Sequence, residues 1–197
     1  MCMPRINAPT VAEHRARQRA TILAAARSQL GRDGYAGLSF SALASTTGLA
    51  RTSLYEYFDS PAAIVVALCE ESFPPLIQRI EAAVAAADDP LDKVAAFVRA
   101  QLSWGAEDPN RLATTLAAPA LPAKIRAELR DLHAGMLPPL VNALEAAGDP
   151  HAARTAALIQ GIVNAAVMRL DAGDDATEVT DAAVTLASDG LRGSHIT

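Results

Sequence analysis

The sequence predicts an all-α protein of about nine helices, and two observations carry this expectation. Of the 197 residues 51% are hydrophobic, much of that fraction is alanine, and only 4% are aromatic. Alanine-rich, glycine-poor segments of this kind favour helices. Apolar residues also recur at intervals of three and four, which is the spacing of one helix face. No segment shows a convincing β-strand pattern.

The charge is distributed unevenly along the chain. Residues 1–60 hold seven arginines against four acidic side chains, a net charge of +3, whereas residues 61–197 carry a net charge of −8. A basic segment on an acidic body indicates that only the N-terminal segment meets a polyanion. Charge alone also permits a chance asymmetry in a small basic segment, so this reading needs support from a motif.

Simple features disfavour several classes of protein. No run of about 20 apolar residues is present, so we expect no membrane span. The N-terminus holds several arginines and lacks the apolar stretch of a secretory signal. Cys2 and Cys69 are too few and too poorly placed for a disulfide framework or a zinc site. We therefore expect a soluble, cytoplasmic protein without a metal or a cofactor.

Local signals place three helices in the N-terminal third. Thr10 and Glu13 have the spacing of a capping box, so the first helix is expected to start at Thr10. It should end at Asp33-Gly34, where Gly34 can adopt the left-handed conformation of a helix C-terminus. A short helix is predicted from about Ser39 to Thr46, and a third from about Arg51 to Tyr57.

Three residues in the second helix, the turn after it and the third helix have properties that a helix-turn-helix requires. Ala44 is small enough for two helices to cross closely. Gly48 accepts the positive φ of a tight turn between helices. Leu54 is expected to pack the third helix against a core formed by Phe40, Leu43 and Leu49. This Ala/Gly/Leu pattern also occurs often by chance.

Prolines and glycines divide the rest of the chain into further helices. Ser60-Pro61 and Asp89-Pro90 each start a helix, because proline in the first turn loses no hydrogen bond. Pro74-Pro75 is expected to kink or break the first of them. Further helices are predicted near 111–118, from Leu121-Pro122 with an interruption at Pro138-Pro139, over 151–171 and over 176–190.

The residues that flank the helix-turn-helix pattern make it specific. Gly34-Tyr35, Leu54–Ser60 (LYEYFDS) and the upstream segment Ile22–Tyr35 together resemble the tetracycline-repressor (TetR) family of bacterial transcription regulators. The resemblance covers about residues 15–68. It implies a helix-turn-helix DNA-binding domain in residues 1–60 and an effector-binding and dimerisation domain in residues 61–197.

Three positions depart from the family pattern. Leu30 stands where the family usually has a bulky aromatic residue, and Ala50 replaces the usual Ser or Thr cap of the recognition helix. Pro61 stands where the family commonly has a Lys that contacts phosphate. With Glu56 and Asp59 nearby, this replacement weakens the expected binding to the DNA backbone at that end.

The resemblance implies DNA-contacting residues in the first 57 positions. Arg51 is the candidate base contact, because its guanidinium can grip the O6 and N7 of guanine. Thr52 and Ser53 are short enough for a thymine methyl or a phosphate oxygen. Tyr55 could instead be mostly core, and the N-terminal arginines could simply solubilise a helix. The remaining candidates are Tyr55, Tyr57, Ser39 and Ser41 for the DNA backbone. Arg15, Arg17 and Arg19 could reach flanking phosphates or the minor groove.

The resemblance also implies that the body dimerises and binds a small-molecule effector. The helices near 151–171 and 176–190 carry wide apolar faces and small residues such as Gly161 and Ala165, which suit a dimer interface. A twofold homodimer would read a palindromic double-stranded operator. Ordinary core packing remains the alternative for each candidate effector residue: Gln101, Trp104, Phe73, Phe97, His133, Met136, Gln160, Asn164 and Met168.

Two other functional classes are alternatives to a ligand-responsive repressor. No phosphate-binding glycine loop, metal-spaced cluster or nucleophile motif is present, and His133 is expected on a helix surface, so we expect no enzyme. A ligand-independent regulator, or a dimeric helical interaction protein with weakened DNA binding, remains open. A large cavity in the body would favour the ligand-responsive reading.

Overall fold

The computed structural model describes residues 8–107 and 121–194, and all secondary structure in these ranges is helical. The all-α expectation is therefore confirmed. The short helix expected near 111–118 lies outside the described residues. The nine helices within the described ranges are α1 (Ala8–Gly37), α2 (Phe40–Thr47), α3 (Arg51–Leu54), α4 (Pro61–Ala85), α5 (Pro90–Glu107), α6 (Ala123–Ala134), α7 (Pro138–Ala146), α8 (Ala152–Asp171) and α9 (Ala176–Ser194).

The first helix begins earlier than its sequence signal indicated. It starts at Ala8, so Thr10 already lies inside the helix and the expected capping box with Glu13 does not mark its start. At the other end the regular helix stops at Gly34, whose backbone has φ 63° and ψ −171°. A single helical turn then continues to Gly37. The positive φ explains why a glycine stands at this corner.

The second and third helices form the predicted helix-turn-helix. Ser39 caps α2 by accepting a hydrogen bond from the amide of Ala42 at 3.2 Å. Gly48 ends α2 with φ 71° and donates its amide to the carbonyl of Ala44 at 3.0 Å. Leu54 is fully buried, as expected for the residue that joins α3 to the core. The regular part of α3 ends at Leu54 rather than Tyr57, and Ala50 gives it no side-chain cap.

The expected break at Pro74-Pro75 is wrong, because α4 runs without interruption from Pro61 to Ala85. Both prolines lie on the exposed side of the helix, next to Glu70 and Glu71. The carbonyl groups that lose their helical partners there can bond to water. On the opposite side, a row of buried apolar residues holds the helix together on both sides of the prolines: Ile64, Leu68, Leu76 and Ile80.

The body is a bundle in which α5 occupies the centre. It packs against α4, α7, α8 and α9, and α6 packs across α4. The break between α6 and α7 lies at Pro138-Pro139, as predicted. One continuous set of buried apolar residues runs from α1 to α9. Within the described ranges, no helix is both long and apolar enough to cross a membrane.

Candidate functional site

The exposed face of the helix-turn-helix carries four of the ten predicted DNA contacts: Ser41, Arg51, Thr52 and Tyr55. Arg51, Thr52 and Ser41 are exposed, whereas Ser53 is half-buried. Ser39 is half-buried and its hydroxyl is already used as the cap of α2. A single guanidinium with a short hydroxyl beside it, at the start of α3, is an arrangement that can reach base edges in a major groove.

The two tyrosines after α3 lie in different environments. Tyr55 is 51% exposed, and its ring packs edge-to-face on Phe40 with 4.6 Å between ring centroids. This contact fixes the ring and leaves its outer edge accessible. The hydroxyl of Tyr57 instead donates a hydrogen bond to the Oε1 atom of Gln18 in α1. Tyr57 therefore ties α1 to the turn after α3, which sequence reasoning did not anticipate.

The three N-terminal arginines also differ. Arg15 lies 5.3 Å from the centre of the Tyr57 ring and donates to the carbonyl of Glu56 at 3.0 Å. Arg17 is exposed and donates to the carbonyl of Glu13, one turn earlier, at 3.3 Å. Arg19 is instead bound to Glu71 of the body. Arg17 is thus the best placed of the three to reach a flanking phosphate.

An ion-pair cluster joins the N-terminal domain to the body. Glu71 of α4 accepts from Arg19 at 2.8 Å with one carboxylate oxygen and from Arg27 at 3.0 Å with the other. Arg19 also lies 5.5 Å from the centre of the Phe58 ring. The two arginines are eight residues apart on one face of α1, but nothing in the sequence indicates that Glu71 is their partner. We call Arg19, Arg27 and Glu71 the junction cluster.

The body contains a cavity of about 370 Å³ between α4, α5, α6 and α8. Its size falls in the range of small-molecule sites. Seven of the nine candidate effector residues line it, whereas Phe97 is fully buried in the core elsewhere and Gln160 lies behind the wall. The lining candidates are Phe73, Gln101, Trp104, His133, Met136, Asn164 and Met168.

A pair of buried amides joins the cavity wall, at Gln101, to Gln160 behind it. Gln101 and Gln160 are 5% and 6% exposed, and each donates to the other's side-chain oxygen at 3.0 Å. Gln160 makes a further bond to Asn164 at 3.1 Å. Polar groups removed from water are tolerated when they are hydrogen-bonded. The Gln101–Gln160 pair is satisfied in this way without a ligand.

His133 lies in the cavity wall, so its expected position on the helix surface is wrong. Its ring packs edge-on against Phe73, with 6.1 Å between centroids, and its Nε2 atom is buried without a hydrogen-bond partner among the described residues. Burial lowers the pKa of the His133 imidazole, because removal from water disfavours the charged form. The cavity wall therefore carries a neutral imidazole with an unused nitrogen.

Sequence reasoning missed the charged residues of the cavity. Arg126 and Arg130 of α6 line it together with the apolar Leu76, Leu129 and Val163. Their exposed positions on an amphipathic helix are those of ordinary solvated arginines, so no sequence signal separates them from other surface charges. Only the packing of α6 across α4 shows that they border a cavity.

The outer surface of α8 and α9 exposes large apolar side chains. Leu158 and Leu186 are 68% and 64% exposed, which is unusual for large apolar side chains. On α8 the exposed residues Leu158, Gly161 and Ala165 follow one another at helical spacing. A groove between the two helices continues this surface. Its apolar lining residues include Ile162, Ala166, Val179, Ala182 and Ala183, and its charged lining residues are Arg169, Asp174, Asp175 and Glu178. We call this surface the α8–α9 face.

Residues 22–68 match the family model of "Bacterial regulatory proteins, tetR family". This segment contains α2, α3, the Gly48 turn and the first part of α4. The resemblance stated from the sequence is therefore confirmed over these residues, which match the DNA-binding helix-turn-helix segment of TetR-family transcription regulators. Proteins of this class are generally not enzymes. No curated protein sequence matches the chain.

Solved structures of several bacterial regulators share the fold. The fatty acid degradation regulator FadR from Bacillus halodurans is 21% identical, with a TM-score of 0.74 over 89% of this chain and 96% of that one. FadR from Bacillus subtilis, solved in complex with stearoyl-CoA, is 22% identical, with a TM-score of 0.72 over 87% and 98%. PfmR from Thermus thermophilus is 23% identical, with a TM-score of 0.66 over 86% and 98%. At these identities the similarity establishes the fold.

The lowered pKa of His133 predicts a pH-dependent stability. Between the lower folded pKa and the unfolded value near 6.5, the unfolded chain binds more protons than the folded one. The free energy of unfolding should therefore fall as the pH is lowered below about 6.5. Urea denaturation at pH 8 and about pH 5, at fixed protein concentration, should show a smaller loss in His133→Gln than in the wild type. An equal loss in both proteins would contradict the assignment.

Proposed function

We propose that the protein is a homodimeric repressor that leaves a palindromic operator when a small-molecule effector occupies its body. Residues 1–60 read the DNA, and residues 61–197 dimerise and bind the effector. The observation that carries this proposal is the path of α4. Its first turns, at Ile64 and Leu68, are buried in the core, and Phe73 and Leu76 of the same unbroken helix line the cavity.

The junction cluster supports a mechanical link between the cavity and the DNA-binding domain. Glu71 lies two residues before Phe73 on α4, and its carboxylate holds two arginines of α1. A ligand that displaces Phe73 would move Glu71 and, through Arg19 and Arg27, the first helix. An effector acts in this way only if it binds one arrangement of α4 more tightly than the other.

On DNA, we assign the reading of bases to the start of α3. Arg51 would contact a guanine, with Thr52 and Ser53 beside it, and the hydroxyls of Ser41 and Tyr55 would contact the backbone. Ser39, Tyr57, Arg15 and Arg19 would position these groups through the contacts described above. Arg17 would reach a flanking phosphate. It is exposed, and its side chain contacts its own helix, at the carbonyl of Glu13, rather than another helix.

The α8–α9 face supports the proposed homodimer. It combines two exposed leucines with small residues, so two copies can approach closely and bury apolar area. A twofold axis there would set two α3 helices on successive turns of the same DNA face. The Bacillus subtilis neighbour in complex with stearoyl-CoA supports a small-molecule ligand for a protein of this fold.

A second candidate function is a regulator that needs no effector. Pro61 supplies no cation to the DNA backbone, and the exposed Glu56 and Asp59 lie just before it. This arrangement favours weaker operator binding than a lysine at position 61 would give. The cavity and the continuous α4 favour the effector-responsive function over this one.

The assignment of Arg51 is tested by DNA binding. The wild type should bind the DNA upstream of its own gene, or a site selected from a random library, with affinity falling steeply as salt rises. Arg51→Ala should weaken specific binding by about 1–3 kcal/mol. Arg99→Ala removes an exposed arginine of α5 and should leave the affinity unchanged. Absence of specific binding by the wild type at low salt would contradict the repressor function.

The dimer is tested on the α8–α9 face. The double variant Leu158→Glu, Leu186→Glu places charges where two copies would meet, so it should sediment as a monomer. Val11→Glu changes an equally exposed apolar residue of α1, 65% accessible, and should remain dimeric. A double variant that sediments as a dimer would show that this face is not the interface.

A further inference from the structure

The side chains that line the cavity are unbalanced in charge and in hydrogen-bonding character. Its walls are mostly apolar, through residues such as Phe73, Leu129 and Val163. Its charged members are two arginines, and no Asp or Glu among the described residues lines it. The charged groups offered to a ligand are therefore the two guanidinium groups, which are hydrogen-bond donors, and the neutral polar side chains are Gln101, Asn164 and His133.

Arg126 and Arg130 lie four residues apart on α6, so their side chains share one face of the helix. Both are exposed, and neither has an ion-pair partner within the described ranges. The helix neighbours of the pair at spacings of three and four include no acidic residue. Two like charges at this spacing destabilise a helix slightly. An anion bound between them would relieve that repulsion.

The two ends of the cavity differ in exposure. The arginines are exposed and so mark the open end, whereas Gln101 is 5% exposed and marks the closed end. Gln101 is already paired with Gln160 by two hydrogen bonds of 3.0 Å. An apolar group that packs against this pair breaks no hydrogen bond. The closed end thus accepts the apolar part of a ligand without a cost for unpaired polar atoms.

The volume limits the size of that apolar part. A water molecule occupies about 30 Å³ in the liquid, so a cavity of 370 Å³ holds about twelve groups of that size. A chain of about ten carbons fits these dimensions, with its polar end at the mouth.

We propose that the cavity selects an amphipathic anion whose apolar body lies inside and whose carboxylate or phosphate head binds Arg126 and Arg130. Guanidinium groups bind both kinds of head through charge-assisted, bidentate hydrogen bonds. This ligand class adds a chemical identity to the effector of the proposed function. It rests on the proposed function in one respect only, namely that the ligand of this cavity is the effector.

Trp104 allows a direct test in the unmodified protein. It is the single tryptophan of the sequence and it lines the cavity, so its fluorescence reports occupancy. The probes are decanoate, decan-1-ol and decyltrimethylammonium below their micelle concentrations, which share one chain and differ in head charge. Decanoate should bind about tenfold or more tightly than decan-1-ol, and the cation should bind most weakly.

The arginines are tested with a matched pair of double variants. In Arg126→Gln, Arg130→Gln, decanoate should bind no better than decan-1-ol, while the affinity for decan-1-ol stays within about twofold of the wild type. Arg99→Gln, Arg154→Gln removes the same charge at two exposed positions outside the cavity and should keep the preference for decanoate. Equal binding of anion and cation, or a preference retained without Arg126 and Arg130, would overturn the proposal. So would the failure of all three probes to bind.

Operator binding with and without decanoate separates this proposal from the proposed function. Saturating decanoate should weaken DNA binding. If decanoate binds with the expected dependence on Arg126 and Arg130 but DNA binding does not change, the ligand class stands and the effector role fails. If a ligand without an anionic group occupies the cavity and releases DNA, the effector role stands and the ligand class is overturned.

Discussion

The structure of this protein depends on the continuity of α4. Two adjacent prolines remove hydrogen bonds from this helix, yet it is unbroken and buries both Ile64 and Leu76. The two prolines are exposed, and the buried side of the helix is held by packing. We propose that a helix intact in this way carries a displacement from the cavity to the DNA-binding domain. The junction cluster adds a polar connection to α1 at the level of Glu71.

The cavity in the body is lined by polar groups with different hydrogen-bonding partners. Gln101 and Gln160 satisfy each other, so the wall needs no water and no ligand at that position. At the mouth the situation is reversed, since two arginines share one face of α6 without an acidic partner in the described ranges. His133 lies in the same wall as a neutral imidazole, since burial lowers its pKa. The polar groups of the cavity thus differ, because the two glutamines are paired, the arginines are exposed to water, and the Nε2 atom of His133 has no partner among the described residues.

Local signals in the sequence were enough for the helix-turn-helix and for most helix boundaries. Ser39, Gly48 and Leu54 act through contacts within a few residues, so their types predict their positions. The break at Pro74-Pro75 was wrong because the sequence does not show that the prolines face water. Phe97 and Gln101 share a face of α5, yet only Gln101 borders the cavity. The neighbours of Glu71, Arg126 and Arg130 come from helices that are distant in the sequence. The spacing of residues along the sequence cannot reveal such neighbours.

We propose that α4 couples the DNA-binding domain to the cavity, and the emission of Trp104 tests this coupling without any ligand. Coupling between two sites is reciprocal, so DNA that selects one arrangement of the N-terminal domain must also alter the cavity. Saturating specific DNA should change the Trp104 emission in the wild type, and the change should be reduced in Glu71→Gln. Specific DNA that binds tightly and leaves the Trp104 emission unchanged would contradict the account.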